Sequence, residues 1–269
     1  MRFALGLQYD GMGFSGWQSQ PAGNTLQDTL EAALARIAGH AVRVACAGRT
    51  DAGVHALGQV VHFDTAAVRP DNAWVRGVNT YLPTAVAVQW AAPVPEDFHA
   101  RLSAIERSYC YLLQVSPVRP AVLAGKVGWF HRELDLARMR EAAACLVGRH
   151  DFSALRAAEC QARSPVREMR EIAIEACGDF LLFRFRADAF LQHMVRNIVG
   201  SLILVGKGGR PPEWMQELLD ARDRTLAAPT FAPDGLYLER VSYEQRWGLP
   251  EAGPGLRQLF APPIAAVFA

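Results

Sequence analysis

Val42-Arg-Val-Ala-Cys-Ala-Gly-Arg-Thr-Asp-Ala-Gly-Val-His-Ala-Leu-Gly-Gln-Val-Val-His-Phe63 reads as two strands, Val42 to Ala47 and Gly58 to Phe63, around a polar loop. The loop presents Arg49, Thr50, Asp51 and His55 between two apolar segments, a setting in which function concentrates. On its own, Asp51 would be read as the cap of an Asp-Ala-Gly turn; the crowd of polar neighbours argues for more. Upstream, Arg2 to Tyr9 alternates around Phe3, Leu5, Leu7 and Tyr9, a strand with one buried face. Thr25-Leu-Gln-Asp28 is a capping-box pattern ahead of Leu26, Leu30, Leu34 and Ile37 at helical spacing. Downstream, Asp71 is placed to cap a short helix through Val78, and Val86 to Trp90 is a further strand. Strand, helix, strand, strand is the order of an α+β unit.

Around Arg107 the pattern restarts. Tyr109, Tyr111 and Leu113 alternate in a second strand, and Asp135 caps a helix carrying Leu136, Met139, Ala143 and Leu146. Glu168 to Cys177 and Phe180 to Arg186 read as a hairpin around Gly178-Asp179. An apolar helix runs from about Phe190 to Val205, Pro211-Pro212 opens another, and Leu236 to Val241 is the last strand. The expected organisation is therefore two α+β domains, 1–105 and 106–246, with a tail over 247–269. The similar order in both halves hints at a pseudo-repeat.

Composition narrows the function classes. The chain has 269 residues, 51% of them hydrophobic, 20% charged, and a net charge of +1, which excludes a disordered chain and gives no bulk electrostatic pull on a partner. Uncharged stretches such as Asn197 to Gly206 are too short to span a bilayer, and Asp10 interrupts any signal-peptide reading. Cys46, Cys110, Cys145, Cys160 and Cys177 form no C-x-x-C pair, and no histidines stand at H-x-x-x-H spacing. A reduced, cytoplasmic protein without a metal is expected. Of the 28 basic residues only Lys126 and Lys207 are lysines. Arginine suits phosphate and base contacts, but a GC-rich genome, which the many alanines support, accounts better for the bias on composition alone.

Several motifs carry competing readings. Gly11, Gly13 and Gly16 satisfy G-x-G-x-x-G after a strand, but Trp17-Gln-Ser-Gln-Pro21 follows where a dinucleotide site needs a helix, so the segment is read as a glycine turn. Tyr109 and Tyr111 share one strand face, suited to core packing or to stacking a flipped base at a cleft rim. Arg196 lies in an apolar helix, and a buried arginine requires a carboxylate, structural or catalytic. Arg184 and Arg186 face away from Leu181, Phe183 and Phe185, either solvated or turned to phosphate. Phe98-His-Ala-Arg101 and Cys160-Gln-Ala-Arg163 are weak signals in isolation.

Together these segments resemble the tRNA pseudouridine synthase A family. The matching pieces are Tyr9-Asp-Gly with Gly16-Trp-Gln18, Ala47-Gly-Arg-Thr-Asp-Ala-Gly-Val-His55 with Gly58-Gln-Val-Val-His-Phe63, Asp97-Phe-His-Ala-Arg101, Tyr109-Cys-Tyr111, His193-Met-Val-Arg-Asn-Ile-Val-Gly200 and Gly235-Leu-Tyr-Leu238. They run in the family's order over nearly the whole chain. The resemblance implies two ferredoxin-like domains with mainly antiparallel sheets around an RNA-binding cleft, working as a homodimer. It also implies a cofactor-free isomerase that converts uridine to pseudouridine at positions 38, 39 and 40 of the tRNA anticodon stem-loop. By the same match Asp51 is the essential aspartate and Arg196 its partner. Tyr109 stacks the base, with its hydroxyl a candidate acceptor of the C5 proton, and Arg49 fills the place of the flipped base. The expected substrate-binding set is Tyr109, Arg49, Arg101, Arg163 and Arg69.

Three routes remain open for Asp51: attack on the sugar, attack on the base, or removal of the C2′ proton. Cys110 departs from the arginine that relatives often carry between the two tyrosines, which would weaken a phosphate contact. The apolar end Ile264 to Ala269 suggests a packed strap or a disordered tail. The alternative to an enzyme is a tRNA-binding or RNA-folding module without chemistry.

Overall fold

Alternation commits Arg2–Tyr9 to the first strand, β1, with Phe3, Leu5, Leu7 and Tyr9 buried. In the computed structural model, which describes residues 1–250, 253, 255 and 256, the Thr25 hydroxyl accepts the Asp28 amide at 3.2 Å and opens helix α1, Leu26–Ala38. Strands β2 (Val44–Cys46) and β3 (His55–Asp64) follow, then a 3-10 turn at Asp71–Ala73, the one-turn helix α2 (Arg76–Asn79) and β4 (Val86–Val94). The second half begins with β5 (Ala104–Val115) and β6 (Gly128–Phe130). Asp135 caps α3 (Leu136–Ala144), and β7 (Gly148–Asp151), β8 (Val166–Cys177) and β9 (Phe180–Ala187) come next. Helices α4 (Met194–Gly206) and α5 (Trp214–Ala221) lead to β10 (Leu236–Tyr243). Strands β6 and β7 escape the sequence reading because three and four residues are too few to show a period. Helix α4 starts later than its apolar pattern because His193 has φ of +61°, outside helical space.

The fold is α+β, as expected, and its ten strands form one sheet in the order β4-β1-β3-β10-β5-β9-β8-β7, with β2 on β3 and β6 on β5. Pairing is antiparallel except for β10 with β3 and β5 with β6. The strands before residue 95 meet those after 103 at the β3–β10 seam, which holds only Tyr237↔His55 and Leu238↔Ala56 in register. That seam lies immediately after the loop that carries Asp51. An antiparallel β1 between β3 and β4 also removes the parallel crossover a dinucleotide fold requires.

One face of the sheet shares a continuous apolar core with α1, α3, α4 and α5, including Leu5, Leu30, Phe63, Tyr111, Phe183 and Leu202. The opposite face of β5 and β9 holds a smaller cluster of Cys110, Leu112, Val127, Leu182 and the tail residue Leu256. The expected Arg184–Arg186 strip is internally paired: Arg184 bonds Glu175 at 2.8 Å, and Arg186 bonds Glu171 at 2.6 Å. Among the described residues no helix is long and apolar enough to cross a membrane. The expectation for Ile264 to Ala269 falls outside the described residues.

Candidate active site

Strands β2 and β3 hold the ends of the Asp51 loop, and a buried polar bracket holds its middle. The Ala47 amide donates to Val60 O at 2.8 Å and the Trp17 amide to Thr50 O at 2.9 Å. The buried Tyr9 hydroxyl lies 2.9 Å from Thr50 Oγ1, and Gln59 Nε2 donates to Gly48 O at 2.7 Å. Gly16, with φ of +91°, brings the 10–17 turn against the loop: a Cβ there would lie 3.0 Å from Thr50 O. Close approach to the loop is thus what this glycine does.

Asp51 meets groups from the other half of the chain. Arg196 Nη1 donates to Asp51 Oδ2 at 3.0 Å, while its Nε donates to Phe231 O at 2.8 Å. Gly200, one turn further along α4, lets the 229–231 segment press close enough for that second bond; a Cβ at 200 would meet Pro229 O at 2.5 Å. The guanidinium is therefore fixed in direction and delivers a charge-assisted bond to one carboxylate oxygen. The same oxygen lies 3.5 Å from His193 Nε2.

Tyr109 comes from the centre of β5 and is 8% exposed, with the Phe190 ring edge-on at 5.0 Å. Its hydroxyl faces the loop, since a side chain on Gly48 would come within 3.7 Å of it. Burial first, then the charge on Asp51, raises the Tyr109 hydroxyl well above the ordinary phenol range. Burial likewise pushes the nearby Cys46 thiol up to about 12, against the pull of Arg49 and Arg101.

The structure gathers most of the expected site residues and separates one. Asp51, Arg196 and Tyr109 converge. Arg49 is exposed two residues before Asp51 and has no side-chain partner among the described residues. Arg101 is exposed, and its charge, like that of Arg49, acts on Cys46. Arg163 is exposed in the 156–165 segment, which is tied to the start of α4 by the Ala157 amide on Gln192 O at 2.9 Å. Arg69 is elsewhere: its Nε donates to Ile37 O at 2.8 Å near the end of α1, beyond the far end of β3, about 30 Å of strand from His55. The exposed carbonyls of a helix C-terminus attract cations, and that is what Arg69 satisfies. Cys110 faces the opposite side of the sheet from Tyr109 and is fully buried, in one cluster with Leu256.

Two further buried residues, Arg107 and His55, tie the halves together around the loop. Arg107, 8% exposed, donates to Ala47 O, Arg101 O, Ala104 O and Asp188 O at 3.1, 2.6, 3.1 and 2.9 Å, joining the loop, the linker and the end of β9. Its signal was its parity, in phase with Tyr109 and Tyr111. His55 is 2% exposed, with Nδ1 3.0 Å from Asp10 Oδ1, Nε2 3.1 Å from Asp234 O, and its ring stacked on Tyr237 at 4.6 Å. Lys126 Nζ bonds the other Asp10 oxygen, so this cluster also spans the two halves. No group of three or more His, Cys, Asp or Glu side chains among the described residues is placed to hold a metal ion.

Comparison with known proteins bears on the family. A family model described as tRNA pseudouridine synthase matches residues 7–103 and 142–244. A protein of Thiobacillus denitrificans named tRNA pseudouridine synthase A is 60% identical over 252 residues, 94% of this chain and 97% of its own. A protein of the same name from Methylobacillus flagellatus is 60% identical over 250 residues, covering 93% and 96%. Another from Burkholderia mallei is 56% identical over 269 residues, covering 100% and 98%. With the model spanning most of both halves and the relatives nearly the whole length, the chain belongs to the tRNA pseudouridine synthase A family.

Proposed function

We propose that this protein isomerises uridine to pseudouridine in the anticodon stem-loop of tRNA, at positions 38, 39 and 40, with Asp51 as the essential carboxylate. The observation that carries the reading is the Asp51–Arg196 contact, a carboxylate from one half of the chain fixed at 3.0 Å by a guanidinium from the other, beside a buried tyrosine. A protein that only bound RNA would have no use for such a pair at the junction of its halves.

The reaction breaks the N1–C1′ bond and makes a C5–C1′ bond, so the carboxylate has to reach the nucleoside while water is excluded; water at the sugar would give cleavage in place of isomerisation. A glycoside hydrolase places two carboxylates around the bond it cuts. Here the single Asp51 is met by Arg196, a counter-charge whose direction is set by Phe231 O, with His193 Nε2 3.5 Å from the same carboxylate oxygen. Tyr109 stays neutral and offers a ring face for the detached uracil, with Phe190 behind it. Arg49, exposed and unpartnered among the described residues, enters the gap left by the flipped base. Arg101 and Arg163 contact the RNA backbone from their exposed positions. We read residues 1–105 and 106–246 as two domains that close on the RNA. The active species is a cytoplasmic homodimer; exposed Val118, Val122 and Trp129 near β6 support a self-association surface.

The test is tritium release from unmodified tRNA carrying [5-³H]uridine. The parent protein releases label from the anticodon stem-loop. Asp51→Asn binds tRNA within a few fold of the parent and releases none. A folded parent that binds tRNA without release would refute the isomerase reading and leave an RNA-binding module.

A further inference from the structure

We propose that His193 is the proton carrier of this site, taking the hydrogen from C5 of the uracil and returning one to N1. The inference rests on the isomerase reading above and adds a residue to it.

The demand comes from the atom balance. When the glycosidic bond breaks, its electron pair stays with the uracil. C5 then bonds to C1′ while still carrying its hydrogen, leaving a double bond between N1 and C6. To finish, the C5–H pair becomes the C5–C6 double bond, the N1–C6 π pair moves onto N1, and N1 takes a proton. One proton leaves carbon, one arrives at nitrogen, and no electrons are gained or lost. The group needed is one that accepts a proton and gives it back.

The groups around Asp51 divide clearly on this point. Asp51 is committed to the sugar or base step. Arg196 is a permanent cation whose nitrogens already donate to Asp51 and to Phe231 O. Tyr109 holds its proton because burial and the Asp51 charge both oppose the phenolate, and a neutral phenol is a poor acceptor. An imidazole carries a proton on one nitrogen and a lone pair on the other, and ordinarily exchanges near neutral pH.

Geometry places that imidazole at the reacting carboxylate. His193 Nε2 is 3.5 Å from Asp51 Oδ2, and the side chain is 24% exposed, open to a substrate or to solvent. Among the described residues, neither ring nitrogen has a hydrogen-bond partner. The backbone is what singles the residue out. His193 has φ of +61°, yet as the N-cap of α4 its side chain caps nothing. Left-handed backbone at a non-glycine residue collects at sites where direction matters more than local comfort. Here it turns the ring toward Asp51. The other titratable or charged groups gathered on that carboxylate are Arg196 one turn along α4 and Tyr109 of β5.

Two variants separate proton transfer from a structural role. Glycine accepts the left-handed backbone and opens space for a small molecule, and asparagine tolerates the same backbone without titrating. Under single-turnover conditions with saturating tRNA, His193→Gly and His193→Asn should each be slower by about 10²–10⁴-fold, the usual weight of a proton-transfer group. Binding of tRNA should stay within a few fold. A primary isotope effect should appear with [5-²H]uridine tRNA, and added imidazole should accelerate His193→Gly in proportion to the free base.

Turnover of either variant within a few fold of the parent would overturn the proposal. So would a loss that imidazole does not restore and that carries no isotope effect, because His193 would then only orient Asp51. An inactive parent would instead overturn the isomerase reading itself.

Discussion

Arg107 makes the most demanding test of how the site is held. Its guanidinium is buried with no carboxylate bonded to it among the described residues, and it relies on four carbonyl oxygens. Burial, and to a smaller extent the Arg101 charge, lowers its pKa from the arginine value, with Tyr243 and Tyr109 opposing. Replacing it by methionine keeps the apolar stem and removes all four donors. The Ala47 bond is the fully buried one, so Ala47 O is stranded at a cost of about 1–3 kcal/mol. The other three bonds are partly buried, and water can replace them at roughly 0.5–1 kcal/mol each, the net value of an ordinary hydrogen bond. The total is about 2.5–6 kcal/mol, a fall in Tm on the order of 10 °C for a chain of this size.

Activity should fall further than stability accounts for, because Ala47 leads directly into the Asp51 loop and a carboxylate displaced by about 1 Å can cost roughly 10²-fold in rate. Arg107→Lys, a point charge without a fork, should lie between. The control is Arg186→Met on the outer sheet face, whose Glu171 and Glu106 pairs leave it 47% exposed and worth ~0–1 kcal/mol. The assay is thermal unfolding paired with single-turnover rates at a temperature where every variant is folded. Equal Tm values for Arg107→Met and Arg186→Met, with full turnover in both, would refute the reasoning.

Acid sensitivity should trace to His62. Burial, reinforced by His99 and Arg2, lowers its imidazole to about 4, against about 6.5 when unfolded. Between those values the unfolded chain holds the extra proton, so stability falls as pH drops, by about 2 kcal/mol at pH 5. His62→Gln, still able to accept the Ala100 amide, should lose roughly 4–8 °C less in Tm between pH 7 and 5 than the parent; parallel curves would remove His62 from the account. Gly16→Ala should cost about 1–3 kcal/mol through its left-handed backbone and slow turnover by pushing on Thr50 O. An unchanged Tm and rate would show that the 10–17 turn does not brace the Asp51 loop.

What could be read from the sequence was what repeats locally. The alternation of Arg2–Tyr9, the Thr25 cap and the β8–β9 hairpin each lie within one short continuous stretch of chain, and each was legible. The seam was not, because Tyr237↔His55 joins positions 182 residues apart through two pairs that leave no pattern in either strand. Arg107 was half legible: its phase with Tyr109 and Tyr111 placed it on the core side, but nothing local announced that carbonyls from three segments would receive it. Arg69 shows the opposite limit, since nothing in its sequence setting announced that its guanidinium would bond the carbonyl of Ile37 in α1.

Helix α4 explains why the centre of the site was legible nonetheless. Eleven of its residues are buried, so it has no free long face on which to carry function. A helix closed in this way can meet solvent only at an end, and the N-terminal end is the one that favours a carboxylate. Arg196, a charge where the apolar pattern allows none, marked that end in the sequence. His193 lies on the same turn and left no comparable mark, because a histidine before a helix is unexceptional until its backbone is seen to be left-handed. The part of the site that opposes burial was therefore readable from composition and spacing. The part that depends on direction had to wait for the backbone.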